Sequence, residues 1–265
     1  MDSNDGFVAL PPSLTATARG SVAVLTLNRP AKRNALDDVT VGGIEAFFAA
    51  VPAGVKAVVI NGAGEHFSAG LDLTEMTERD LVSGIDHSRR WHRAFERIQY
   101  GRVPVVAVLH GAVVGGGLEL AASAHVRVAE RTAFYALPEG QRGIFVGGGG
   151  SVRISRLIGV ARMMDMMLTG RTYGAEEGVP LGFSQYLAEP GQGLQTGLKL
   201  AERIAGNAPL TNLAVTQVLP RIAEQDAASG LMMESLMAAI AQSDEEAKTR
   251  LRDFLEKRAP KVPPG

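Results

Sequence analysis

Val113-Val114-Gly115-Gly116-Gly117-Leu118-Glu119-Leu120 passes from a β-branched pair through three glycines into a helix whose first turn carries an acid. Further on, Tyr135-Ala136-Leu137-Pro138-Glu139-Gly140 ends a strand on a proline and presents a second acid. Two carboxyl groups can move protons between water and carbon. A glycine-rich helix start can offer backbone N–H groups to an oxyanion. Together these segments point to acid–base chemistry beside a thioester or similar carbonyl.

Working outward, strands alternate with helices. Strands are predicted at Val22–Leu27, Val55–Ile60 and Val103–Leu109, where Pro104 sits near the strand start. Shorter strands are predicted at Val126–Ala129 and Ala133–Tyr135. Asp37 is a candidate N-cap for a helix running to Ala50. Leu71–Asp86 reads as a short helix with a mobile connection. Trp91, Phe95 and Ile98 then share one face of a helix over Ser88–Tyr100. Gly115–Ala124 is helical, and Gly147–Gly150 feeds a helix over Ser151–Ile158. A helix over Ala161–Leu168, a helical turn at Glu176–Val179 and a strand near Phe183–Leu187 follow. The remainder is helical: Leu194–Ala205, Leu210–Ile222, Asp226–Gln242 and Asp244–Lys257. This alternation predicts an α/β core over 1–190 and a helical region over 191–265.

Composition narrows the function classes. The 265 residues are 46% hydrophobic and 21% charged, as expected of an ordinary globular chain. A net charge of −1 favours neither nucleic acid nor an anionic membrane as partner. The absence of cysteine excludes disulfides and thiol catalysis. No targeting pattern opens the chain and no apolar run approaches bilayer length, so a cytoplasmic location is expected. His66, His87, His92, His110 and His125 show no metal-ligand spacing with the carboxylates, and no metal is expected. The Gly147–Gly150 run lacks the lysine of a phosphate loop and reads as a tight turn behind Glu139.

The ordered set of motifs resembles the enoyl-CoA hydratase/isomerase (crotonase) family. The matching stretches are Leu25–Leu36, Phe67–Leu73, His110–Ala121, Leu137–Glu139 with Gly143-Ile144, and Phe254–Arg258. The resemblance implies a spiral of ββα units with a C-terminal helical region that forms trimers or hexamers. It implies an oxyanion hole made by the backbone N–H groups of Leu71 and Gly116. It implies Glu119 and Glu139 as the acid–base pair, with Glu139 the main donor to C2 and Glu119 activating water. Ala69, Gly70, Asp72, Gly147, Lys32 and Arg33 become candidate substrate contacts. Phe254 and Lys257 become candidates for the CoA nucleotide. The implied activity is enoyl-CoA hydration, with CoA arriving on the substrate and no cofactor. The rivals are a Δ3,Δ2-enoyl-CoA isomerase, an aromatic hydratase-lyase and, in another class, a non-catalytic scaffold or RNA binder. Three departures stand out: Ala124-His125 replaces the usual Cys-Asp, Val146–Ser151 replaces Pro-Gly-Ala-Gly-Gly-Thr, and Thr74 replaces a common lysine.

Overall fold

The computed structural model describes residues 6–75, 80–256 and 258. It divides into two compact units, one ending at Ala205 and one beginning at Gly206.

In the first unit, a six-stranded sheet runs in the order β1-β2-β3-β4-β6-β9. Its members are β1 (Leu14–Arg19), β2 (Val22–Leu27), β3 (Ala57–Gly62), β4 (Val105–Leu109), β6 (Val126–Glu130) and β9 (Tyr186–Ala188). All neighbours are parallel except the β1–β2 hairpin. Parallel strands are buried on both faces, which is why they read as continuous Val/Ile/Leu runs. On one face, Val24, Val59, Val106 and Val108 pack under α7 (Gly193–Ala205) through Leu198 and Ala201. A Cβ on Gly197 would lie 2.5 Å from Val108, so this close helix–sheet approach requires glycine. On the other face, Leu25, Val58, Ile60 and Leu109 meet Phe47 of α1 (Asp38–Ala49) and Phe95 and Ile98 of α2 (Leu81–Gln99). Because α7 covers the sheet, it belongs with the core, whereas the sequence reading ends the core at residue 190.

A small second sheet holds β5 (Ala112–Val114), β7 (Phe134–Ala136) and β8 (Tyr173–Gly174). Isolated bridges Ser68↔Val113 and Leu36↔Leu71 extend it. Each turn of the chain therefore puts a long strand in the first sheet, a short one in the second, and then a helix. β4, β5 and α3 (Gly116–Ser123) form one such turn; β6, β7 and α4 (Gly150–Ile158) form the next. The expected ββα spiral is present. α5 (Val160–Thr169) and α6 (Ala175–Leu181) complete this unit.

Several elements differ from the sequence reading. β1, β5 and β8 were not predicted, and each takes its register from a partner strand. Of the stretch Leu71–Asp86, Leu73–Glu75 forms a short 3-10 helix, while Leu81–Asp86 is the start of one long α2, capped by Asp80, whose carboxylate accepts from Ser83 N at 2.8 Å. Residues 76–79 of that stretch lie outside the described residues.

In the second unit the predicted helix Leu210–Ile222 is present, with a π-helical turn inside it. α8 (Pro209–Leu213) and α9 (Leu219–Ile222) flank a π-helical segment, Ala214–Val218. Pro220 has no N–H to donate to the preceding turn, so the hydrogen-bond ladder loses its regular register there. α10 (Ala227–Ser243) and α11 (Glu245–Leu255) follow, N-capped by Asp226 and Asp244. Among the described residues no helix is long and apolar enough to cross a membrane.

Candidate active site

Two backbone amides meet where the small sheet turns into α3. Gly70 has φ +89°, and a Cβ there would lie 2.6 Å from Val114 O and 3.1 Å from Gly116 N. A Cβ on Gly116 would lie 3.4 Å from Leu71 N and 2.6 Å from the Trp91 ring. The Leu71 and Gly116 amides are thus close neighbours, and neither has an acceptor among the described residues. Gly116 is the first residue of α3, where helix N–H groups are left unsatisfied and the helix dipole is positive. The loop bearing Leu71 is held by Leu36 N donating to Gly70 O at 2.7 Å and Asp72 N donating to Leu36 O at 2.8 Å.

The two acids have different surroundings. Glu119 is 3% exposed, and its Oε1 accepts from Gly148 N at 2.8 Å and Gly150 N at 2.7 Å. This explains the glycine run. A Cβ on Gly150 would lie 2.8 Å from Glu119 Oε1, and one on Gly148 3.1 Å from Glu119 Oε2. Arg153 anchors the same turn by donating to Gly148 O at 2.9 Å and to Gln99 Oε1 at 2.6 Å. Gly149 must be glycine as well, with φ +95° and a Cβ position 2.3 Å from Arg153 Nη1. Burial pushes the Glu119 carboxyl up to about 7, with the Glu139 charge adding to the rise; the Gly150 and Gly148 amides and Arg153 oppose it. Glu139 is 8% exposed, and its Oε2 has no hydrogen-bond partner among the described residues. Its Oε1 lies against Gly115, where a Cβ would be 2.6 Å away. Burial raises this carboxyl too, opposed by a backbone amide and Arg142.

Glu119, Glu139, Leu71 and Gly116 all line one cavity of about 410 Å³. Its remaining wall is largely apolar, from Trp91 of α2 and the Ile144–Val146 segment, with Gly147 at the edge. A polar pair in a largely apolar cleft is the arrangement in which carboxyl groups change protonation near neutral pH.

The other predicted contacts do not gather here. Asp72 does not face the cavity: Arg29 Nη2 lies 2.7 Å from its Oδ2, and Thr74 donates to its Oδ1 at 2.7 Å through the hydroxyl. Thr74 and Arg29 hold its carboxyl down at about 2. Arg29 also pairs with Asp37 at 3.0 Å, so Asp72 fastens the Leu71 loop to the start of α1. Thr74 completes that clasp through its hydroxyl and backbone N–H, both donating to Asp72 Oδ1. Ala69 and Gly70 shape the loop without lining the cavity. Lys32 and Arg33 are exposed on an adjoining turn, where Ala69 N donates to Arg33 O at 2.9 Å. His66 accepts from Ala112 N at 3.1 Å and so braces β5 rather than the cavity. Phe254 is exposed on α11 in the second unit, and Lys257 lies outside the described residues.

Sequence reading missed the part of the wall supplied by α2. Gly84, His87, Ser88 and Trp91 all line the cavity, and Ser88 donates to Gly147 O at 2.6 Å. The Asp80–Ser83 capping pattern was the signal that would have extended α2 back to Leu81. Asn34 was also missed. It is 1% exposed with φ +54°, and its amide donates to Ala63 O and His66 O. Those bonds hold a non-glycine residue in the left-handed region, which is costly unless its surroundings enforce it.

Known proteins share this architecture. A chain of Clostridium acetobutylicum named short-chain-enoyl-CoA hydratase is 33% identical over 242 residues, covering 90% of this chain and 93% of its own. The 2,3-dehydroadipyl-CoA hydratase of Escherichia coli is 33% identical over 251 residues, covering 93% and 97%. A crystal structure from Rhodopseudomonas palustris superposes with a TM-score of 0.92 at 60% identity, over 95% of this chain and 98% of that one. The enoyl-CoA hydratase/isomerase profile matches residues 17–263, and the chain belongs to that family.

Proposed function

We propose that this protein is an enoyl-CoA hydratase, a hydro-lyase that adds water reversibly and syn across a trans-2-enoyl-CoA thioester. The observation carrying this reading is that two buried carboxyl groups and two free amides line a single cavity. The thioester oxygen accepts from the Leu71 and Gly116 amides, which take up the negative charge of the enolate. Losing one such donor costs about 3–4 kcal/mol. Glu119, as a carboxylate, takes a proton from water as the oxygen bonds to C3. Glu139, as a carboxylic acid, gives its proton to C2. The net change is addition of one water, and the proton on Glu119 returns to Glu139 through exchange before the next turnover. Two amide donors suit Glu119 to the ionised state, because a carboxylate is an acceptor only. A buried oxygen without a partner suits Glu139 to the protonated state. The two titrate as a coupled pair.

This chemistry uses only side chains, backbone and water, so no metal or organic cofactor is assigned. Lys32 and Arg33, exposed beside the Ala69–Leu71 loop, are assigned to the CoA phosphates. Phe254 and Lys257 are assigned, on the resemblance alone, to the CoA nucleotide bound by a neighbouring subunit. A cytoplasmic location accords with an acyl-CoA substrate. The test is product analysis with crotonyl-CoA. The conjugated thioester absorbance should fall as a 3-hydroxyacyl-CoA forms with solvent oxygen at C3. Turnover of a 3-enoyl-CoA without hydration, or cleavage of a hydroxycinnamoyl-CoA, would replace this reading with an isomerase or a hydratase-lyase.

The assembly is proposed to be a homotrimer or a pair of trimers built through the C-terminal helices. Leu231, Met232, Leu236 and Ile240 of α10 are all exposed in the single chain, and so are Leu251 and Phe254 of α11. So large an apolar surface is covered in a stable soluble protein, and closed symmetric assemblies are the usual means. Sedimentation equilibrium should give a mass about three or six times 27.9 kDa. A monomer at micromolar concentration would refute the assembly.

A further inference from the structure

The catalytic cavity does not end at the glutamates. Its outer wall is the first part of α2, where Gly84 and Ser88 stand beside Phe145. A second depression of about 430 Å³ shares Gly84 and Ser88 with it and continues past Leu81, Ile85 and Arg89. Gly84 and Ser88 therefore border both spaces.

Nothing in the protein's own packing calls for glycine at this position. A Cβ built on Gly84 meets no atom within 4 Å, and its φ lies outside the left-handed region. The glycines at 116, 148 and 150 are different, because a Cβ at each would crowd Trp91 or Glu119. Inside a helix glycine is also among the least favourable residues, since it gives up the most backbone freedom on folding. What its missing side chain leaves is open space bordering both depressions, a passage for an extended ligand. Around that passage large apolar side chains face outward: Leu81 is 79% exposed, Phe145 69%, Val82 68% and Ile85 43%. Such a concentration marks a surface that binds something apolar.

We propose that Gly84 is the specificity-determining residue for chain length, and that the tail of an aliphatic 2-enoyl thioester passes it to lie on Leu81 and Ile85. The substrate class is then medium- and long-chain enoyl thioesters rather than the four-carbon one. This rests on the hydratase reading, in which the thioester end occupies the cavity of Glu119 and Glu139. Each methylene removed from water contributes roughly fourfold in affinity, so a tail of several methylenes outweighs the loss from ordering it.

The test compares crotonyl-CoA with trans-2-decenoyl-CoA in wild type, Gly84→Ala and Gly84→Leu. The ratio of kcat/KM for the longer substrate over the shorter should exceed one in wild type. It should fall by more than about tenfold in Gly84→Leu, whose side chain fills the passage. Gly84→Ala should melt a few degrees higher than wild type, because alanine is favoured where no packing requires glycine. Melting temperatures also report whether Gly84→Leu is folded. A second arm measures binding of decanoyl-CoA and butyryl-CoA by calorimetry, independent of turnover. If wild type hydrates neither substrate, the hydratase reading fails, and the binding arm still decides the passage. Equal loss for both chain lengths, or no change in the ratio for either turnover or binding, overturns the proposal.

Discussion

Replacing Glu139 with glutamine is expected to lower kcat for hydration of a 2-enoyl-CoA by about 10²–10⁴-fold, the usual contribution of a positioned acid. The fold should be unaffected. Glutamine has the same shape, and its Oε1 or Nε2 can sit against Gly115, where the Cβ that would collide is absent. No hydrogen bond to Oε2 is lost, since among the described residues there is none. Substrate binding depends on the amides and the apolar wall, so KM should change little while kcat falls. Loss of proton exchange at C2 of a saturated acyl-CoA in heavy water would assign the defect to that carbon. A variant retaining activity within tenfold of wild type would remove Glu139 from the mechanism.

Glu119→Gln is expected to lower kcat/KM by about 10²–10⁴-fold and to abolish the acidic limb of the wild-type pH profile. In wild type, activity should fall as pH drops through about 7, where Glu119 takes up a proton and ceases to act as base. The amide of glutamine keeps an oxygen able to accept from Gly148 and Gly150, so the glycine turn stays in place. The stability effect has the opposite sign to the activity effect. A buried carboxyl whose folded pKa is about 7 against an ordinary value of 4.5 binds its proton more tightly when folded. Its ionisation therefore costs the protein nothing below pH 4.5, increasingly between 4.5 and about 7, and fully above. Glutamine never ionises, so the variant should melt higher than wild type at pH 8 and equally at pH 4.5. Equal melting temperatures at both values, with an unchanged acidic limb, would mean that Glu119 ionises as an exposed carboxyl does.

Legibility differed from segment to segment. Asp37 as the cap of α1 could be read locally, because capping is settled within a few residues: Thr40 N donates to its Oδ1 at 2.7 Å. The face formed by Trp91, Phe95 and Ile98 was likewise legible, and all three are buried. The first part of α2 was not. Its residues face a cavity and open water rather than the core, so the hydrophobic repeat that announces a helix is absent there. Leu210–Ile222 was legible as helical, but the π-helical turn over Ala214–Val218 was not, because the apolar repeat does not report which hydrogen bonds Pro220 displaces. Asp72 was assigned to substrate because the motif around it touches the oxyanion loop. Its partner Arg29 stands far away in sequence, and only the closed spiral brings them within 2.7 Å.

By itself the sequence determined the α/β class and the family, and it singled out the two carboxyl groups and two amides that line one cavity. These depend on local periodicity, glycine placement and motif order, each written within a few neighbouring residues. Tertiary structure alone decided which groups share a space. It set Glu119 against the Gly148 and Gly150 amides, turned Asp72 away into a clasp with Arg29, and opened the Gly84 passage beside Phe145. Those outcomes come from strands packing across crossovers and from burial, which shifts proton affinity through the loss of water around a charge.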